Sequence, residues 1–339
     1  MSGTPDPSAV PQLLAMLRGY AATQLVHLAA RLDLARLLRD GPLATSEIAA
    51  RTATDPASLR RALRGLVNIG LLAEQNDDRF SVLPLGAALD DPSLREWALL
   101  TGEVLYPARA GLCDAVRTGE TPFSSVFGVE FFAHLARQPE AARWFGAGMA
   151  RESRATARAL VTVFDFTPYP VVVDVGGGHG QVISHVLRAF PACRGILQDR
   201  PEVLVEAQAR LSSEGLSDRL QTHAGSFFDF VPSGGDVYIL SWILHDWGDA
   251  DCVTILSRCR AALGPRGASG RLLVLEGLLP VRVEAPTPVV DADLAMMLLT
   301  GGRERTEAEY DGLFTRAGLR LCETRPMSAG RALLIVALA

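Results

Sequence analysis

Residues 171–189, VVVDVGGGHGQVISHVLRA, decide the fold class. Val171–Val175 reads as a buried strand, the glycines at 176, 177, 178 and 180 as a tight turn, and Gln181–Ala189 as a helix. A strand that runs through a glycine turn into a helix is the opening unit of a doubly wound nucleotide fold. The alternation continues outward from there. Gly195–Gln198, Leu220–His223, Val237–Leu240 and Leu272–Leu275 read as further strands with helical stretches between them, and Leu319–Glu323 and Ala332–Ala337 close the pattern. Continuous apolar runs separated by helices indicate a parallel sheet covered on both faces, so the fold class is α/β.

Glycines at the first turn let the backbone come close to a ligand, and the helix start directs N–H groups at an anionic group. A dinucleotide fingerprint would place its third glycine at position 181, which is Gln181. A pyrophosphate cradle is therefore disfavoured, and a ligand ending in a single carboxylate fits better. Asp199, at the end of the second strand, can accept hydrogen bonds from both hydroxyls of a ribose. Its competing reading is a cap for the helix Pro201–Leu211. Ser226 and Phe227 follow the third strand, where an adenine lies in such folds; Phe227 either stacks on the base or is plain core. The fourth strand leads into Ser241, Trp242, His245, Asp246 and Trp247.

Upstream the pattern is helical. After a Pro-rich tail, Thr4–Pro11, the stretch Gln12–Leu38 carries apolar residues at helical spacing. Ser46–Arg51 reads as a short helix, and Asp55 caps a second one with Pro56 at its first position. Leu71–Glu74 and Arg79–Leu83 flank a four-residue turn, which completes a winged helix. Winged helices often bind DNA, and Arg60, Arg61 and Arg64 lie on the second helix. The alternative is a packing module whose arginines are solvated or paired with nearby acids. Further helices follow over Ala98–Arg117 and Glu140–Val163. Thr167-Pro168-Tyr169-Pro170 breaks the helical pattern and marks the expected boundary between domains 1–166 and 167–339.

Composition excludes several chemistries. All 33 basic residues are arginine, so no lysine can form a Schiff base, act as an amine nucleophile or hold a Walker-type phosphate. The five cysteines contain no CxxC pair, and the six histidines show no metal-ligand spacing, so no disulfide framework and no dedicated metal site are expected. A formal net charge of −5 argues against general nucleic-acid binding. No apolar run is long enough for a membrane span, and the first twenty residues lack a secretory pattern. The expected address is cytoplasmic.

Six ordered segments, DVGGGHG, LQDRPEVL, AGSFFDF, LSWILHDWGDADC, LLVLEGLLP and GGRERTEAEY, resemble the S-adenosylmethionine-dependent O-methyltransferases of the plant caffeic-acid and bacterial polyketide-tailoring type. The resemblance covers nearly the whole chain. It implies an N-terminal, mostly helical winged-helix domain that forms a homodimer and shapes the acceptor pocket, and a C-terminal Rossmann-like domain that binds S-adenosylmethionine. Gly176, Gly177 and Gly178 would approach the methionine portion, Asp199 would hold the ribose, and Ser226 and Phe227 would flank the adenine. Ser226 stands where the family often has an acid. Ser153 matches a serine at the cofactor's methionine end, and Ser241 a position that is Lys or Arg in many relatives.

Methyl transfer from a sulfonium needs acceptor oxygen, methyl and sulfur in line, water excluded and the acceptor proton removed. A neutral imidazole near its ordinary value of about 6.5 is a suitable base for a phenol. The resemblance puts that base at His245 and two acidic partners at Glu276 and Glu304. It assigns Met149, Trp242, Met296 and Thr300 to the acceptor pocket, where adaptable apolar side chains suit a flat aromatic or polyketide-like molecule. Asp246 reads equally as a capping carboxylate. The expected reaction is O-methylation. The competing readings are a methyltransferase-fold enzyme with a diverged reaction, such as hydroxylation or decarboxylation, a winged-helix regulator that senses a small molecule, and a nicotinamide dehydrogenase, which Gln181 disfavours.

Overall fold

The computed structural model describes residues 9–327 and 330–339. Packing divides the chain into two units: the described residues up to Pro107 together with Gln138–Gly148, and Ala108–Arg137 together with Met149–Ala339. The division by packing therefore falls elsewhere than the proline-rich break at 167–170. Ala157, Leu160, Phe164 and Phe166 already lie buried in the core of the second unit.

The first unit is helical with a small sheet. The stretch expected as one helix is three, Ala9–Leu17, Gly19–Arg31 and Leu34–Leu37. The last break is at Asp33, whose φ of +51° lies in the left-handed region that Asp tolerates better than most residues. Of the expected Pro-rich tail, residues 1–8 lie outside the described residues, and Ala9 is already helical. Leu43–Ala44 (β1), the helices Thr45–Thr52 and Pro56–Asn68, Leu72–Gln75 (β2) and Arg79–Val82 (β3) form the winged module, with antiparallel strand order β1-β3-β2. Asp55 caps its helix by accepting the Ser58 N–H at 2.8 Å, while Leu59, Leu63 and Leu66 are buried. Arg64 pairs with Glu74 at 2.8 Å and Arg60 with Asp78 at 2.5 Å, so wing acids take up two of the three arginines on that helix. Leu13, Leu14, Met16 and Leu17 on the first helix are exposed.

The second unit is built on seven strands: Val171–Val175 (β4), Arg194–Asp199 (β5), Leu220–Ala224 (β6), Val237–Ser241 (β7), Arg271–Gly277 (β8), Leu319–Pro326 (β9) and Arg331–Leu338 (β10). Their order is β6-β5-β4-β7-β8-β10-β9. The first five are parallel, and β10 runs antiparallel to both neighbours. Alternate residues enter opposite cores. Val172, Leu273, Leu275, Leu333 and Ile335 join the buried cluster on one face, and Val173, Val175, Leu272, Val274, Leu334 and Val336 the other. The strand order reverses between β4 and β7, which places a crevice at the carboxyl ends of those strands, where ligands bind in open α/β sheets. Among the described residues no helix is long and apolar enough to cross a membrane.

Candidate active site

The glycine turn after β4 is held by backbone and one carboxylate. Gly176 has φ +66°, and a Cβ there would meet Ile243 Cδ1 at 2.7 Å and Phe227 Cε1 at 3.1 Å. Glycine is therefore required twice over, by conformation and by space. Gly178, at φ +57°, has open space at its α-carbon. Asp199 Oδ2 accepts the Gly178 N–H at 2.8 Å, and Oδ1 accepts the Arg200 N–H at 2.7 Å. Burial pushes this carboxyl above its ordinary value, although the two N–H groups pull it back. Beneath the turn, burial lifts Asp174 to about 7.

Around it lie the other residues expected here. Ser226 Oγ accepts the Phe228 N–H at 3.2 Å, which commits part of its capacity to the local turn. Phe227 packs beside Phe228 and Trp247. Ser241 Oγ, at the end of β7, is buried with no partner. His179 accepts from Arg210 through its carbonyl, and its Nε2 lies 3.5 Å from Glu206 Oε2.

The second half of the crevice is the turn after β7. His245 is 4% exposed, and Glu276 and Glu304 are buried. His245 Nδ1 lies 2.8 Å from Glu304 Oε1, which leaves Nε2 directed elsewhere, 3.9 Å from Asp246 Oδ1. Sequence matching gives Glu276 and Glu304 the same part, but the geometry separates them. Glu276 Oε1 accepts the N–H groups of Ile243 (3.0 Å) and Leu244 (2.8 Å), so this carboxylate shapes the turn, and its Oε2 stands 3.8 Å from Nδ1. These three residues offer atoms within 4.8 Å of one another. The Nδ1–Oε1 separation is nevertheless a hydrogen-bond length, and a zinc-like ion bridging them would hold them about 3.3 Å apart.

Residues 302–305 grip the same turn from the other side. A Cβ on Gly302 would sit 2.0 Å from the His245 carbonyl oxygen, so only glycine lets this segment approach. Arg303 N–H donates to that oxygen at 2.8 Å. Glu304 takes the ring, with its own N–H bound to Asp293 Oδ1 at 2.9 Å. Arg305, fully buried, donates to the carbonyls of Leu244 (3.1 Å) and Trp247 (2.9 Å) and pairs with Asp249 at 2.8 Å. It brackets His245 from both sides.

The O-methyltransferase domain family matches residues 110–320, and the O-methyltransferase dimerisation domain family matches residues 14–89. Phenazine O-methyltransferase of Lysobacter antibioticus is 40% identical over 321 residues, 94% of this chain and 93% of that one. The chain belongs to the O-methyltransferase family. Another relative, 8-amino-8-demethylriboflavin N,N-dimethyltransferase of Streptomyces davaonensis, is 34% identical over 334 residues, with 95% of each chain covered. A solved O-methyltransferase from neocarzinostatin biosynthesis, in complex with S-adenosylmethionine and 2-hydroxy-5-methyl naphthoic acid, is similar with a TM-score of 0.85 at 30% identity, covering 94% of this chain and 96% of that one.

In this O-methyltransferase the electrostatics of the base position differ from the sequence expectation of an imidazole near 6.5. Burial pulls the His245 pKa down, but Glu276, Asp246 and Glu304 outweigh it and push it up to about 10. Burial raises Asp246 to about 6 and Glu276 to about 7, each against the pull of the imidazolium. The remaining positions are more scattered. Ser153 and Met149 lie on the helix Pro139–Val163. Met296 ends the helix Pro288–Leu299 with its carbonyl, which accepts the N–H and hydroxyl of Thr300. A cavity of about 340 Å³ opens beside Glu304, lined by Leu279, Asp293, Met297, Gly302, Arg303 and Glu309, with neither Met296 nor Thr300 in its wall. Sequence reading missed Arg305, because an arginine inside GGRERT carries no sign that it will be buried. It likewise left Asp293 without a role.

Proposed function

We propose that this O-methyltransferase methylates a hydroxyl of an aromatic or polyketide-type small molecule, with His245 as general base. The observation that carries the reading is the imidazole with Nδ1 committed to Glu304 and Nε2 left free to take a proton. The family depends on S-adenosylmethionine, and the residues present suit it. Asp199 keeps lone pairs for a ribose, the glycine turn offers its backbone to a carboxylate-ended chain, and Ser241 Oγ is a buried hydroxyl in want of a partner. When bound, that cofactor supplies a methyl group activated by a sulfonium.

The chain's own residues supply the rest. His245 Nε2 takes the acceptor proton while Glu304 and Glu276 stabilise the imidazolium that results. A base near 10 matches a phenol of pKa about 10, so the transfer is close to even in energy. The cost is that most of the base is already protonated at neutral pH, and turnover should climb as pH rises above 7. Apolar side chains at Met149, Trp242 and Met296, with Thr300, would hold a flat acceptor. The N-terminal region would form a homodimer through helices such as Ala9–Leu17, whose apolar face is exposed.

The test is turnover of a panel of hydroxylated aromatics, including a 2-hydroxynaphthoic acid and a hydroxylated phenazine, with methyl-labelled S-adenosylmethionine and product analysis by NMR. A methyl ether product is expected. A labelled N-methyl product from amino analogues alone would move the acceptor atom to nitrogen, and hydroxylated or decarboxylated product without label would overturn the reading.

A further inference from the structure

Trp242 carries a backbone conformation that the proposed chemistry does not use. Its φ is +59°, the left-handed region, where a bulky aromatic residue is a genuine outlier. It is the only non-glycine residue of the sheet unit with positive φ among the described residues. Such a conformation persists only where the surroundings over-determine it. Part of that determination is local: its N–H donates to the Leu275 carbonyl at 3.1 Å, and the next two N–H groups are held by Glu276.

The rest comes from the last strand. The Arg331 guanidinium stacks 4.4 Å from the centroid of the Trp242 ring. Its Nη1 donates to Thr156 Oγ1 at 2.8 Å and its Nη2 to Glu152. The indole N–H points at the same Thr156 hydroxyl, 3.5 Å away. The arginine side chain is 11% exposed, so the stack is largely shielded from water. The indole also meets the His245 ring, centroid to centroid 5.2 Å and steeply inclined. Arg331 can reach this place because β10 is antiparallel: its first residue pairs with Gly277, at the carboxyl end of β8.

We propose that Arg331 is a positioning residue, fixing the Trp242 indole as a wall of the acceptor site and so setting acceptor affinity from a strand that holds no reacting group. The inference rests on the reading of Trp242 as an acceptor-lining residue. A planar guanidinium can stack on the ring and serve Thr156 and Glu152 together, whereas an ammonium offers no such fork. Glu152 and Thr156 also bracket Ser153 on one helix, so the clamp ties that turn of helix to the strand ends.

The test is a double-mutant cycle on acceptor KM, using the best acceptor of the panel above, with near-UV circular dichroism of the same proteins. Arg331→Met should raise KM about tenfold, leaving kcat within about threefold and the pH profile unmoved, because the residue acts on binding and not on the proton. Arg331→Lys should recover part of the loss. In a Trp242→Ala background Arg331→Met should add nothing, since its effect passes through the indole. The tryptophan band that Trp242→Ala removes should also weaken in Arg331→Met. Should Arg331→Met not fold, Arg331→Lys and Glu152→Gln run through the same cycle, each expected in the same direction with a smaller size. Unchanged KM in Trp242→Ala would defeat the pocket-wall reading beneath the proposal. A raised KM there with additive effects, or with a native band and native KM in the arginine variants, would defeat the role of Arg331 itself.

Discussion

The two halves of the crevice are made in different ways. At the glycine turn, neighbouring segments of chain do the work: backbone N–H groups, a bare α-carbon and one carboxylate, Asp199. At the His245 turn, side chains from three separated stretches converge: Glu276, Glu304 and Arg305 are buried around His245, and Asp246 beside it is 18% exposed. A backbone cradle responds to substitution mainly through affinity. A cluster of buried charges responds through rate and pH, because each group sets the protonation of the next.

The strongest break is expected at the base. His245→Ala should lower kcat about 10²–10⁴-fold, with cofactor affinity nearly unchanged, as single-turnover kinetics and calorimetry would show. Near-native turnover across pH 6 to 9 would instead make solvent the proton sink. On the other side of the comparison, Asp199→Ala should weaken S-adenosylmethionine binding by about 1.5–3 kcal/mol, roughly 10- to 150-fold, while kcat at saturation stays close to native.

Glu304→Gln sharpens the contrast. The carboxylate on Nδ1 helps hold His245 protonated, so its loss should move the rising limb of the pH–rate profile to lower pH and, because the base is then weaker and less well oriented, reduce the plateau turnover above the limb about tenfold. A limb that stays in place would show that Glu304 has no electrostatic hold on the base. The smallest effect is expected beneath the glycine turn. Burial raises Asp174 to about 7 in the folded protein, well above its unfolded value, so its neutral form favours folding and that contribution is lost as pH rises from about 4 to about 7. Asp174→Asn should therefore flatten the fall of Tm over that range, measurable by thermal melts from pH 5 to 8.

The same contrast explains what the sequence disclosed. Val171–Val175 matches its strand residue for residue, because five consecutive positions are buried or nearly so. The other strands are longer than their apolar runs, and on four of them the extra residues include a polar end: Asp199 on β5, Ser241 on β7, Glu276 on β8 and Arg331 on β10. Hydrophobic periodicity stops at these strand ends, because polar side chains there bind N–H groups and charges instead of packing in the core. His245 and its acids stood out through family resemblance, yet the differing tasks of Glu276 and Glu304 depend on which N–H groups lie within reach, and no local pattern records that. The break at Asp33 in the first unit was hidden for another reason, as no glycine or proline marks it. The two-residue β1 is too short for any periodicity.

The position of β10 has a consequence for assembly. The chain's final strand inserts between β8 and β9 and hydrogen-bonds to both. A chain made from its N-terminus completes the glycine turn and Asp199 long before Glu276, residues 302–305 and Arg331 exist. On the proposed reading, the residues that would hold a nucleoside thus precede those that would remove a proton, and the second set depends on contacts of high sequence separation. A chain halted before residue 331 lacks the strand that joins β8 to β9, so the end of β8 that carries Glu276 is left without its neighbour.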